Sequence, residues 1–139
     1  MGLTYAEITL INTGEAYMAR HGKMKVQDVR QMTVSALVDS GAYMLTIDKS
    51  ISAQLGLDVF ETREIELADG TRYECDIAGP VDLRFKNRQT TCRALVLPGA
   101  SEVLLGVIPL EDLDVVIDPK TQELNVHPLR PYIAGTKVK

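Results

Sequence analysis

Short apolar or alternating segments, separated by turn residues, run through nearly the whole chain. Alternation of apolar and polar residues with period two is typical of half-buried β-strands. Gly, Pro, Asn and Asp between such segments favour turns. The strands predicted in this way lie at residues 5–12, 16–20, 30–38, 43–47, 63–67, 71–77, 81–85, 90–97, 115–117 and 123–127. So many short strands predict an all-β protein with a small closed β fold.

Two short segments, residues 50–55 and 109–113, predict helices instead. The first has apolar residues one helical turn apart and a glycine at its end, and either Asp48 or Ser50 can cap its start. Pro109 can occupy the first turn of the second segment, where its missing N–H costs nothing. The predicted fold is therefore a β-barrel with one or two short helices.

Turn residues predict where the strands reverse. Ala68, Asp69 and Gly70 separate two alternating segments, and Asp-Gly in such a position is a strong hairpin signal. Residues 13–15 predict a turn before the strand at 16–20. Gly79-Pro80 either breaks the chain or forms a bulge within a longer strand.

Length and charge limit the classes of function. A chain of 139 residues with 45% hydrophobic residues suits one domain, which we place at residues 1–127 and follow with a tail at 128–139. The net charge of −4, the lack of a basic block and the absence of Trp argue against a nucleic-acid partner. No apolar run is long enough for a membrane span, and the N-terminus has no signal-peptide pattern. We expect a cytoplasmic protein with no membrane partner.

The two cysteines, Cys75 and Cys92, lie in strand-like segments and have no partner at the spacing of a metal site. Two packed, reduced thiols are the simplest interpretation. His21 and His127 are isolated beside turns, so a Cys-dependent hydrolase has no local support. We expect no metal and no cofactor.

One carboxylate occupies an unusual place at the end of an apolar segment. Leu37-Val38 runs directly into Asp39-Ser40-Gly41-Ala42, which puts a charge where charges are costly. The serine hydroxyl can bond locally, and the glycine lets the backbone turn tightly. On its own, this stretch is equally well an ordinary turn.

A second segment, read together with the first, distinguishes it from an ordinary turn. Leu104-Leu105-Gly106 follows about sixty residues later and precedes the predicted helix at 109–113. The two elements, in this order and within an all-β pattern, resemble the retropepsin-like (retroviral-type) aspartic proteases, in their single-domain, bacterial type. The resemblance extends from about Thr4 to Val126. It implies a closed β-barrel of the acid-protease type.

The resemblance also implies roles for particular residues. Asp39 would be the catalytic carboxylate, with Ser40, Gly41 and Ala42 forming the active-site loop. The hairpin tip at residues 68–70 would be the flap, the mobile cover over a bound peptide. Ser40 stands where Thr is more common.

Two departures affect these expectations. Val107 stands where viral members usually have an Arg that ties down the dimer. The predicted flap tip is also more polar than the viral one. The dimer contacts and the cover are therefore expected to differ from the viral ones.

Hydrolysis by carboxylates needs two of them, one to take a proton from water and one to hold a proton for the carbonyl. Because this chain has a single Asp-Ser-Gly, the second Asp39 has to come from another copy in a two-fold dimer. The expected function is thus a homodimeric aspartic endopeptidase acting on a peptide or protein substrate. The family implies that the chain ends help pair the copies, although the tail could instead be disordered. The alternative is a non-catalytic dimerisation or peptide-binding module that keeps the fold.

Overall fold

The computed structural model describes residues 2–99 and 101–138, and these form nine strands and three α-helices. Their order along the chain is β1 (Tyr5–Asn12), α1 (Thr13–Arg20), β2 (Gln31–Val38), β3 (Leu45–Asp48), α2 (Lys49–Leu55), β4 (Asp58–Glu66), β5 (Arg72–Phe85), β6 (Arg88–Leu97), β7 (Val103–Leu105), α3 (Val107–Leu113), β8 (Val115–Asp118) and β9 (Glu123–Val126). A single 3₁₀ turn, Val26–Asp28, precedes β2.

Six of the strands close into a barrel within the described part of the chain. Their order is β1-β2-β7-β3-β6-β5, and β5 pairs again with β1 to complete the ring, while β4 adds to the outer edge of β5. Two of the contacts, β2 with β7 and β3 with β6, are parallel. Strands β8 and β9 form a separate hairpin. The predicted small closed all-β barrel is confirmed.

The barrel interior is filled by aliphatic side chains that alternate along its strands. Those with no exposed surface include Leu10, Leu45, Ile47, Ile77, Val81, Leu83 and Leu105. Burying a side chain of this size contributes about 1.5–3 kcal/mol. Leu45 is the first residue of β3 and follows the loop after β2, whereas Leu105 is the last residue of β7 and precedes the loop after it. Burial of these two side chains therefore holds one end of each loop in the core.

Helix α2 forms where the sequence predicts it. Asp48 is its N-cap and accepts a hydrogen bond from the Ile51 N–H at 2.9 Å. Gly56 ends the helix with a left-handed conformation, φ +64°. Ile51 and Leu55 are buried, as expected for the shared apolar face. Helix α3 also confirms the second prediction, although it begins at Val107, two residues earlier than expected.

Helix α1 replaces the turn and strand predicted for residues 13–20, so both of those predictions are wrong. Asn12 caps the helix by accepting a hydrogen bond from the Glu15 N–H at 3.0 Å. The Asn12 amide also donates to the Leu55 carbonyl at 2.8 Å, which joins the start of α1 to the end of α2. An Asn three residues before a Glu is a helix-start signal that outweighs the short alternation after it.

Gly79-Pro80 forms a bulge within β5, which was one of the two alternatives. The pairing with β6 shifts register between Ala78 and Val81. Gly79 has φ +144°, a conformation that favours glycine. The bulge lets β5 continue for 14 residues, long enough to belong both to the barrel and to the hairpin with β4.

The tail after β9 folds back along α3 and the start of β6. The Arg130 guanidinium donates to both oxygens of Asp114, at 2.6 and 2.8 Å, and the Gly135 N–H donates to the same carboxylate at 2.8 Å. The Asn87 amide donates to the Pro131 carbonyl at 2.8 Å, and the buried Arg88 donates to the Arg130 carbonyl. The tail is thus fastened to its own barrel between Arg130 and Gly135.

Replacing Arg130 by Ala is expected to loosen this tail. Arg130, and then the Gly135 N–H, hold the pKa of Asp114 well below its usual range. A carboxyl with a lowered folded-state pKa stabilises the fold above its unfolded pKa of about 3.9, and that contribution is lost as pH falls through the folded pKa. Hydrogen exchange of the Gly135 amide reports on the contact. We expect lower protection in Arg130→Ala near neutral pH, and lower protection in the wild type as pH falls below about 4.

Arg20→Ala is the matched control, because Arg20 is an exposed arginine in the last turn of α1 that makes no hydrogen bond or ion pair with the described residues of the tail. It is expected to leave Gly135 protection unchanged. Equal protection of Gly135 in Arg130→Ala and the wild type would show that the ion pair does not hold the tail.

Candidate active site

Asp39 follows the last residue of β2 and is fixed by backbone hydrogen bonds on two sides. The Val38 N–H donates to the Thr4 carbonyl at 2.8 Å, and the Asp39 N–H donates to the Leu105 carbonyl at 3.1 Å. The first bond ties the strand end to the N-terminal segment, and the second ties it to β7. In the single chain, Asp39 is half-buried, directly after the end of a barrel strand.

The residues after Asp39 form a tight turn around its carboxylate. The Ala42 N–H donates to the Asp39 carbonyl at 3.1 Å, and the Gly41 N–H donates to Asp39 Oδ1 at 2.8 Å. A Cβ atom at position 41 would lie 3.1 Å from that same oxygen, which is tighter than about nine in ten real Cβ contacts. Glycine therefore lets the backbone amide approach and orient the carboxylate.

The side chains of Ser40 and Ala42 differ in their surroundings. Ser40 is exposed, and its hydroxyl has no hydrogen bond to the described residues of its own chain. Ala42 is half-buried and contributes to the wall of a groove. A hydroxyl directly beside the carboxylate remains available to a second molecule.

The loop after β7 locks onto the loop after β2. The Val107 N–H donates to the Ala42 carbonyl at 2.9 Å, and the Ile108 N–H donates to the Tyr43 carbonyl at 3.1 Å. A Cβ atom at Gly106 would lie 2.5 Å from the Met44 carbonyl oxygen, so this close approach requires glycine. The segment Leu104-Leu105-Gly106 thus packs beside the Asp39 loop.

A groove of about 310 Å³ lies between this loop and the β4–β5 hairpin. Most of its lining is aliphatic, and its polar groups are Thr46 and the charged Arg63 and Glu66. The lining residues are Ala42, Tyr43, Met44, Thr46, Arg63, Ile65, Glu66, Leu67, Leu95, Leu97 and Leu104. A groove of this kind suits an apolar side chain whose main chain is held by polar groups at the rim.

The β4–β5 hairpin forms where Asp69-Gly70 predicts it. The Leu67 N–H donates to the Thr71 carbonyl at 2.8 Å, and the Gly70 N–H donates to the Leu67 carbonyl at 2.9 Å. The Asp69 carboxylate accepts from the Thr71 N–H at 2.9 Å, and its hydrogen bonding to Thr71 lowers the pKa of Asp69. Gly70 has φ +86°. The tip, residues 68–70, is exposed, and Leu67 at its base reaches the groove.

The model of the "gag-polyprotein putative aspartyl protease" family matches residues 23–112. The chain belongs to this family. The match includes the Asp39 turn, the hairpin and Gly106, and it confirms the retropepsin-like family inferred from the two motifs. A search of curated proteins finds no significant match.

Four other aspartates of this retropepsin-like protein have structural roles. Asp48 caps α2, Asp114 binds Arg130, and Asp118 accepts a hydrogen bond from the Lys120 N–H at 2.9 Å. Asp82, which is buried, accepts from the hydroxyls of Thr13 and Thr91. Each of these carboxylates therefore has hydrogen-bond partners within its own chain, and three of the four lie at the edge of a helix or turn, where carboxylates commonly serve as caps.

The cysteines and histidines form no second reactive centre in residues 2–99 and 101–138. Burial raises the pKa of Cys92 to about 12, so its thiol stays protonated at neutral pH. Cys75 is buried on β5, and desolvation also raises its pKa. His21 stacks on Tyr17, and His127 accepts from the Leu129 N–H. No cluster of possible metal ligands is found among these residues.

Three groove residues were not singled out by the sequence. Tyr43 and Met44 were assigned to a strand, yet they belong to the loop that precedes β3, and Arg63 was read only as part of a hairpin strand. The exposed Tyr43 directly after an active-site-like turn is the one local signal, because a large apolar residue there has little core to join.

Within the described residues, no helix is long and apolar enough to cross a membrane.

Proposed function

We propose that this protein is a homodimeric aspartic endopeptidase in which two copies of Asp39 activate a water molecule. Family membership supports a hydrolase of peptide bonds. The observation that carries the proposal is the placement of Asp39, which two interlocked loops hold in the same tight turn as Ala42, a residue that lines the apolar groove beside the β4–β5 hairpin.

The chemistry requires two carboxylates close together. When they lie roughly 3 Å apart, both cannot ionise, and they share one proton. The ionised carboxylate takes a proton from water as the water oxygen attacks the peptide carbonyl, while the protonated carboxylate gives its proton to the carbonyl oxygen. As the tetrahedral intermediate collapses and the C–N bond breaks, one of its hydroxyls gives a proton to the ionised carboxylate, and the amine leaves with the proton held by the other carboxylate, so that the pair again shares one proton.

The Asp39 turn suits a two-fold axis. The Gly41 N–H holds one carboxylate oxygen, and the exposed Ser40 hydroxyl is available to bond across the dimer. Each copy would then help to hold the other copy's loop and keep the two carboxylates coplanar. Ala42 would line the cleft, and the hairpin tip at Ala68, Asp69 and Gly70 would cover the bound peptide.

Activity is expected to depend on protein concentration, because one chain supplies one Asp39. Below the dimer dissociation constant, the rate of peptide hydrolysis per chain should rise with concentration, and it should level off as the dimer forms. Light scattering or sedimentation at the same concentrations should show the mass rising from 15.3 kDa towards twice that value. A specific activity that stays constant while the protein remains monomeric would rule out the shared dyad.

A transition-state mimic provides a second test of the same proposal. Pepstatin-like compounds carry a hydroxyl where the attacked carbonyl becomes tetrahedral, and such mimics bind more tightly than substrates. We expect competitive inhibition of peptide-library cleavage between about pH 4 and 7, a range that brackets a shared-proton dyad. A stable dimer that neither cleaves nor binds the mimic would favour the dimerisation or peptide-binding module.

A further inference from the structure

A second groove lies on the other side of Tyr43, Met44 and Arg63. Its volume is about 520 Å³, and these three residues line both this groove and the smaller one beside Ala42. The two grooves therefore adjoin along these three residues, and together we call them the trough, which begins at Ala42, the last residue of the Asp39 turn. The remaining lining residues are Leu45, Phe60, Pro80, Thr91, Cys92, Arg93, Ile108 and Pro109.

Large apolar side chains stand exposed along this second groove. Tyr43 is 69% exposed, Phe60 51% and Ile108 42%. They come from three separate elements, namely the loop before β3, strand β4 and helix α3. Scattered apolar residues need no explanation, but a contiguous group around one hollow is typical of a binding surface.

The charged residues of this groove are mainly cationic. Arg63 and Arg93 both lie on its lining, and Glu61 is the carboxylate paired with them. Glu61 contacts Arg63 at 2.6 Å, whereas it is 3.9 Å from Arg93. Arg93 thus has a weak partner and a side chain that is 45% exposed. The two charged residues on the lining itself are thus both cationic, while Asp112 and Asp82 lie close enough to Cys92 to raise its pKa.

We propose that the second groove binds an outer segment of the peptide substrate, one that carries an apolar side chain and an Asp or Glu next to it. This inference rests on the proposed endopeptidase function, since the trough begins at the Asp39 loop. The apolar side chain would enter between Phe60 and Ile108. The carboxylate would pair with Arg93, whose guanidinium can donate two hydrogen bonds to it.

The test uses a degenerate dodecapeptide library in two parallel arms. Wild-type protein cleaves the library and the products are sequenced, while immobilised Asp39→Asn protein retains peptides that are then eluted and sequenced. We expect both arms to enrich Asp or Glu at a position at least two residues from the apolar residues nearest the cleavage site. Arg93→Glu should reduce this enrichment about three- to five-fold, the size expected for an exposed ion pair, and favour Lys or Arg instead.

Arg84→Glu is the matched control, because Arg84 is an exposed arginine on β5 that bonds Gln89 and lines a different surface. It should leave the enrichment unchanged. Arg93→Gln tests the charge without reversal, and Phe60→Ala should weaken the neighbouring apolar preference. Circular dichroism establishes that each variant is folded.

The two arms separate this inference from the endopeptidase proposal. Retention of acidic peptides by Asp39→Asn protein, without cleavage by the wild type, would support the groove and overturn the protease. Cleavage by the wild type without any acidic preference, or with a preference that Arg93→Glu leaves unchanged, would overturn the groove and keep the protease.

Discussion

Replacing Asp39 by Asn is expected to abolish peptide cleavage while the protein stays folded and dimeric. Asn keeps the shape of the side chain, and its Oδ1 can still accept the Gly41 N–H bond of 2.8 Å. It can neither take a proton from water nor share one with its symmetry mate. Since positioned acid–base groups contribute factors of about 100–10,000, kcat/KM should fall at least about 1,000-fold. The measurement is hydrolysis of a peptide library between about pH 4 and 7.

Asp28→Asn is the control for this substitution. Asp28 is an exposed aspartate in the 3₁₀ turn before β2, at the end of that strand opposite to Asp39, and its replacement should leave kcat/KM unchanged. Thermal unfolding of both variants checks that they are folded. Equal activity of Asp39→Asn and the wild type would point to a contaminating protease or to another nucleophile.

Replacing Gly106 by Ala is expected to reduce both stability and activity. The added Cβ would lie 2.5 Å from the Met44 carbonyl oxygen and 2.8 Å from that of Ala42, so backbone atoms have to move apart. Overpacking of this kind costs about 1–3 kcal/mol of unfolding free energy. The shift would also loosen the bond from Val107 to the Ala42 carbonyl. Because small misplacements of reacting groups are costly, activity should fall at least about ten-fold.

Gly14→Ala is the matched control, since Gly14 lies within α1 and a Cβ there would make only an ordinary contact of 3.6 Å with Asn12. Alanine in a helix interior is more favourable than glycine by about 0.5–1 kcal/mol. Urea unfolding should therefore show a lower midpoint for Gly106→Ala and an equal or higher one for Gly14→Ala. Equal midpoints for Gly106→Ala and the wild type would show that the two loops can separate without cost.

Local residue patterns predicted most of the strands and two of the helices. Alternation with period two, a capping Asp48 and the turn residues Asp69-Gly70 act over a few residues, and the structure keeps each of them. The prediction failed at residues 13–20, because the turn and the short strand predicted there form helix α1. A strand exists only if a neighbour pairs with it, whereas the Asn12 cap stabilises a helix locally.

The site was predicted in the same uneven way. The Asp39-Ser40-Gly41 turn and the Leu104-Leu105-Gly106 segment can be recognised in the sequence because each motif consists of consecutive residues. The groove was not, because Tyr43, Arg63 and Leu95 come from separate elements that meet only when the barrel closes. Likewise, nothing local indicates that Arg130 in the tail pairs with Asp114, sixteen residues earlier.

The sequence by itself determined the fold class and the family, and it singled out Asp39 as the candidate carboxylate, since each depends on short patterns or on the order of two motifs. The tertiary structure decided three other features. They are the close approach of the loops at Ala42 and Gly106, the trough that passes Arg63, and the attachment of the tail to Asp114. These features depend on barrel closure, which brings together residues that lie more than sixty positions apart, and the free energy of packing selects that arrangement.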